Sequence, residues 1–321
     1  MTRATLAIAT AIVMGSSFHE MAAGATSDYS ERLDALWDYR KPAVSLQRFE
    51  KEAKRHAADS RERNEALTQV ARAKGLLREF DAADATLDRV EAAVSRLPAR
   101  VRVRYMLERG RVQNSSGHPA TAVALFDQAL AATVSDSLPG AQFYRVDAMH
   151  MLGIAAPKSA QLEWDLRALA EADASNNARV RRWIASLCNN IGWYYHDRGD
   201  YPQALGYFER ALPAWEARGN QADVRFAKWS IARTLRSLGR IDEALAMQQA
   251  LLHETERAGE PDGYVYEEIG ELDLLRGDAA ASAWFAKAYA LLKDDPELAA
   301  SEPARLARMR TLAHATPGSR P

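Results

Sequence analysis

The side chains able to do chemistry are few and scattered. Seven histidines stand at 19, 56, 118, 150, 196, 253 and 314, and no two are three or four apart, so no helix can present a paired-His metal site. The single Cys188 can form no internal disulfide and no thiolate zinc cluster. It stands one helical turn before Gly192 and reads as a buried, inert thiol. The chain has no glycine loop to cradle a phosphate, no G-x-S-x-G elbow and no dinucleotide fingerprint. An enzyme would have to draw acid and base groups from His196, His150 and Glu271. His196 has only Asp197 beside it, and on a helix adjacent residues do not face each other. Neither a metal nor a cofactor is expected. Arg-Gly-Asp occurs at 198–200 and 276–278. Both copies read as a turn, with Gly reversing the chain and Asp opening the next helix, rather than as an adhesion motif.

Composition narrows the field further. In 321 residues, 42 Lys and Arg face 43 Asp and Glu, a net charge of −1, which removes the basic field that nucleic-acid binding needs. A hydrophobic share of 47% is too high for general disorder. Only 17 Gly and 12 Pro, set among abundant Ala, Leu, Arg and Glu, point to helix nearly throughout. Residues 4–15 form an apolar run behind Arg3, with Ala23-Gly24-Ala25 placed for cleavage before Thr26, so 1–25 are expected to be an export signal and the protein periplasmic. The alternative is an Ala-rich leader from an early start codon, with Met14 or Met21 as the true start and a cytoplasmic protein. The run is too short to span a bilayer, and no later segment is longer and uncharged, so no membrane span is expected.

The helices that must position any site reveal themselves by self-similarity. From Gly110, steps of seven, five, four and three residues land on Gly117, Ala122, Phe126 and Ala129. From Gly192 the same steps give Gly199, Ala204, Phe208 and Ala211. From Ala232 they give Gly239, Ala244, Gln248 and Leu251; from Ala71 they give Arg78, Ala83, Leu87 and Val90. Gly270 leads to Gly277 and, after a turn one residue shorter, to Ala281, Phe285 and Ala288. Gly153 starts a further copy with its turn cut short by Pro157, where only Ala160 and Trp164 fit. Each copy predicts a helix, a turn with a residue at positive φ, and a second helix. The small anchor lets the partner helix approach, and the Ala and Phe four apart share one face of that partner. Such a pair cannot bury its apolar face alone, so copies must stack.

The pattern resembles the tetratricopeptide repeat family, on Ile191-Gly192, Tyr195, Gly199, Ala204, Phe208 and Ala211 and on weaker echoes across 61–290. It departs from that family in a period near 40 rather than about 34 residues and in a displaced Pro213. The resemblance implies an all-α, right-handed superhelical solenoid of six or seven helix pairs. The expected layout is a degenerate helix pair over 26–60, formed by 28–39 and 42–57, and the repeat array over 61–295. A capping helix from Pro296 to about Thr311 and a loose tail complete residues 296–321.

The resemblance also implies that first helices line a concave groove. Residues three before, one after and four after Gly192 and Ala232 would then point inward, Asn189, Trp193 and His196, then Trp229, Arg233 and Arg236; around Gly270 the set is Tyr264, Glu267 and Glu271, six before, three before and one after. Read as function, this stripe is a groove for a peptide or a partner's helix, with Asn189 on the backbone, the arginines on carboxylates and the tryptophans on apolar side chains. Read as structure alone, Arg233 and Arg236 pair with Glu267 and Glu271. The expectation is a non-catalytic protein- or peptide-binding scaffold. The alternatives are a sensor of a small peptide or metabolite and, last, an enzyme built on His196 and Glu271.

Overall fold

A computed structural model describes residues 28–134 and 138–315. The signal expected over 1–25 and the end of the tail lie outside these residues. Among them the chain is helical, with no strand. The helices group into two compact units, one comprising 28–191 with 217–220 and the other 192–216 with 221–315.

The N-terminal unit opens with α1 (Tyr29–Asp34) and α2 (Pro42–Lys54), followed by the pairs α3 (Arg61–Leu76) with α4 (Phe80–Glu91), α5 (Ala99–Ser115) with α6 (Pro119–Ala132), and α7 (Ala141–Ala155) with α8 (Lys158–Asp173). A short α9 (Ala178–Arg181) leads into α10 (Trp183–Asp197), within which the division of the chain falls. The C-terminal unit continues with α11 (Tyr201–Glu216), α12 (Gln221–Ser237), α13 (Ile241–Ala258), α14 (Gly263–Arg276), α15 (Ala281–Leu292), α16 (Pro296–Ser301) and α17 (Pro303–Ala313).

The repeat frame builds both cores. Gly117, Gly199, Gly239 and Gly277 take φ between 71° and 91° in the inter-helix turns, and Arg78 takes 63° at the matching place. A Cβ on Gly192 would lie 2.6 Å from the Phe208 ring, and one on Gly270 3.2 Å from Phe285, so each aromatic packs onto bare backbone. Phe126, Phe208 and Phe285 are fully buried, as are Ala122, Ala129, Ala204 and Ala244. Both Arg-Gly-Asp segments are turns: Asp200 Oδ1 accepts from Gln203 N at 3.3 Å and Asp278 Oδ1 from Ala280 N at 2.9 Å.

The structure corrects three sequence expectations. The first helix stops at Asp34 rather than running to 39, because Trp37 turns inward to donate to Gln69 Oε1 (2.9 Å) and stack on Tyr39, and Pro42 disfavours helix at the residue before it. The C-terminal helix breaks at Glu302, where Pro303 takes the first position of α17. The third correction is one of register. Helices α6, α11 and α13 begin nine residues after Gly110, Gly192 and Ala232, and α8 begins nine after Met149, not Gly153. Met149 is therefore the anchor of the α7–α8 pair, and Asp165 and Ala168 stand where other copies place Phe and Ala. Trp164 and Ala160 do not fill those places. The carboxylate of buried Asp165 lies against the bare Cα of Gly153.

Candidate functional site

The corrected anchors expose a rule along the first helices. The residue after one anchor meets the residue two before the next. These positions are three apart on a helix and so share a face. In the N-terminal unit Arg72 of α3 donates to Glu108 of α5 (3.2 Å), Arg111 of α5 pairs with Asp147 of α7, and His150 of α7 meets Asn190 of α10 (3.4 Å). In the C-terminal unit Arg233 of α12 donates to Glu268 of α14 (2.7 Å), and Glu271 of α14 accepts from Arg308 of α17 (3.0 Å). The remaining rung pairs Trp193 with Ser230 by position and carries no charge.

This ladder reassigns the predicted ion pairs. Arg233 and Arg236 do not pair with Glu267 and Glu271. Both go to Glu268, Arg236 through Nε at 2.7 Å and Nη2 at 3.0 Å. Burial alone would raise the Glu268 carboxyl, but Arg236 and Arg233 hold it down at about 2. Glu267 instead takes a bidentate pair from Arg305 of α17 (2.7 and 2.6 Å). The positions three before the anchor do not present themselves: Asn189, Trp229 and Glu267 are only 6%, 4% and 4% exposed. Trp229 donates Nε1 to the Tyr264 carbonyl (3.2 Å), and Asn189, in the N-terminal unit, leaves Oδ1 without a partner.

Half-buried in the C-terminal unit are Trp193, His196, Arg233, Arg236, Tyr264 and Glu271. Trp193 meets His196 and Phe208 edge-on, each at 5.1 Å between ring centroids, and lies 6.0 Å from Trp229. His196 Nε2 lies 3.2 Å from Ser237 Oγ. Burial, and then the charges of Arg233 and Arg236, lower the imidazole to about 4, so it is neutral at pH 7. Tyr264 lies under the Arg305 guanidinium, and burial lifts its hydroxyl to about 12. The three groups named for an enzyme have separate partners: His196 with Ser237, Glu271 with Arg308 and His150 with Asn190. Among the described residues no three of His, Cys, Asp or Glu are grouped to hold a metal ion, and no helix is long and apolar enough to cross a membrane.

Sequence reasoning missed a second polar centre in the N-terminal unit. Arg104 of α5 donates to Tyr144 OH (2.9 Å), Ser30 Oγ (2.9 Å) and Asp34 Oδ1 (2.7 Å), and Ser30 donates to fully buried Glu65 (2.5 Å). The available signal was Arg100 and Arg104, four apart on the face of α5 opposite its surface charges.

Stacked antiparallel helix pairs, small anchors under aromatic rings and an interhelical ladder define an α-helical repeat protein. Tetratricopeptide-repeat family models match residues 181–252 and 104–146, so the chain carries tetratricopeptide repeats in those segments. No curated protein matches its sequence. Among solved structures it is similar to the apo form of RapI (TM-score 0.64, 11% identity, 89% of this chain and 82% of that one). It is also similar to aspartyl phosphate phosphatase F from Bacillus subtilis (0.60, 14%, 91% and 80%) and to NprR in complex with its cognate peptide NprX (0.54, 16%, 91% and 87%). At such identities the likeness is one of fold.

Proposed function

We propose that this protein is a non-catalytic scaffold that binds a protein or peptide on the first-helix face of its C-terminal unit. The observation that carries this reading is the open strip itself. Trp193, His196, Arg233, Arg236, Tyr264 and Glu271 are all half-buried on successive first helices of one unit. Aromatic faces beside directed polar groups favour an apolar side chain flanked by an acidic one. An acidic side chain of the ligand competes with Glu268 for the outer edges of Arg233 and Arg236, while neutral His196 adds no charge to be desolvated. The fold shared with NprR, crystallised with its cognate peptide, supports a peptide ligand, and equally a module that senses one. Export through residues 1–25 belongs to the same proposal, and mass spectrometry of the mature N-terminus tests it: a chain beginning at Thr26 supports it and an intact Met1 ends it.

A native pull-down tests the strip, using the wild type, Trp193→Ala and His196→Gln, with helicity checked by circular dichroism. Loss of the same partner in both variants at unchanged helicity is expected. Unchanged recovery by both sinks the assignment.

A further inference from the structure

The N-terminal unit carries a half-open cavity of about 380 Å³ lined by Asp28, Arg61, Glu65, Arg100 and the apolar Pro98, Ala99, Val101 and Pro139. Its size falls in the lower part of the range of roughly 300–1,000 Å³ found for small-molecule sites. Three features of its wall are chemically unfinished. Glu65 is fully buried; its Oε1 accepts from Ser30 and lies at ion-pair distance from Arg104 (3.2 Å) and Arg100 (3.4 Å), while its Oε2 has no hydrogen-bond partner among the described residues. A buried carboxylate oxygen left without a donor is costly and marks a place for one. Pro98 occupies the cap position of α5 and offers no side-chain acceptor to that helix's first turn, so the positive end of a 17-residue helix opens on the cavity edge. Arg61, half exposed and with its Nε on neighbouring Glu62 at 2.7 Å, stands at the rim.

Unsatisfied negative and positive ends within one small, partly apolar chamber fit a ligand carrying both charges. We propose that this cavity binds a small aliphatic α-amino acid, its ammonium on Glu65, its carboxylate at the α5 N-terminus between Arg61 and Arg100, and its side chain against Val101 and the prolines. The charges already present cannot complete the site themselves, because Arg100 is committed to Asp28 and Glu65, and Arg104 to Asp34 and Glu65.

Thermal unfolding of the full chain with L-valine or L-leucine tests this, with N-acetyl-L-valine and L-valinamide as probes lacking one charge each. A saturable rise in Tm with the free amino acids and none with either derivative is expected. Glu65→Gln abolishes the rise. Arg61→Ala, at an exposed position that leaves folding intact, demands about tenfold more amino acid for the same rise. The proposal is overturned by an absent rise with both amino acids, by an equal rise with N-acetyl-L-valine, or by an undiminished rise in Arg61→Ala. That last variant decides the matter even if Glu65→Gln does not fold.

Discussion

The place sixteen residues after the anchor is filled in two different ways. In the copies at Gly110 and Gly192 it holds Phe126 and Phe208, each fully buried against a glycine. In the copies at Met149 and Ala232 it holds Asp165 and Gln248, equally buried. Gln248 leaves both amide atoms without partners, and Asp165 leaves Oδ1 without one, with His150 Nδ1 no nearer than 3.9 Å. The same position in the same fold is thus a hydrophobic keystone in one copy and an unsatisfied polar plug in the next. Stability is therefore concentrated in some copies rather than shared equally, as a stack with nearest-neighbour coupling allows.

The contrast is broken most directly at Phe208. Phe208→Ala is expected to cost about 3–5 kcal/mol, because the Trp193 ring and the Gly192 backbone cannot collapse into the space. Chemical unfolding monitored by circular dichroism measures it, and a cost below about 1 kcal/mol would mean that the aromatic is not the keystone. Gly192→Ala probes the other side of the same contact. Its Cβ would meet the Phe208 ring at 2.6 Å, so a loss of about 1–3 kcal/mol is expected. Gly270→Ala, at 3.2 Å from Phe285, is expected to cost less. An equal gain at both glycines would show that helix propensity, not ring contact, sets the effect.

These anchors were legible because they obey a steric rule that fixes residue size at a fixed spacing. The repeat, its turns and its apolar contacts followed from Gly110, Gly192, Phe126 and Phe208 alone. The register of the α7–α8 pair did not. Gly153 drew the reading because a glycine was expected, whereas the helix starts identify Met149 as the anchor. The polar stripe was legible only in part: Asn189, Trp229 and Glu267 are buried, and the pairing was not legible at all. Which of Glu267, Glu268 and Glu271 receives Arg233 depends on a rotation of about 100° per residue between neighbouring helices, and sequence spacing does not specify that rotation. The part played by α17 was not legible either: its break at Pro303 leaves Arg305 and Arg308 bonded to Glu267 and Glu271.

The polar members of the comparison are sharpened by removing their polarity. Gln248→Met keeps the volume and deletes two unpartnered buried atoms, so a gain of about 1–2 kcal/mol is expected at any pH. A loss would show that Gln248 has bonding that the static contacts do not reveal, and that copies with polar plugs are not weak points.

Asp165→Asn tests whether the other polar plug carries its cost as charge. Burial raises the Asp165 carboxyl above its ordinary 3.8, against the opposing pull of nearby His150. The folded state therefore holds that proton more tightly than the unfolded chain does. The penalty is full above the raised value, shrinks as pH falls through it, and vanishes below 3.8. Asp165→Asn should thus stabilise by about 1 kcal/mol at pH 7 and by progressively less toward pH 4. His196 works in the opposite sense, since a folded value of about 4 against 6.5 makes the native state lose stability as pH falls between them. That background acts on wild type and variant alike, so the difference between their unfolding curves across pH isolates Asp165. A difference independent of pH would mean that the carboxyl binds its proton equally tightly in the folded and unfolded chains. Asp165 would then resemble Gln248 in kind, a buried polar group whose cost does not come from charge, and the two copies would differ from their Phe-bearing neighbours for one reason instead of two.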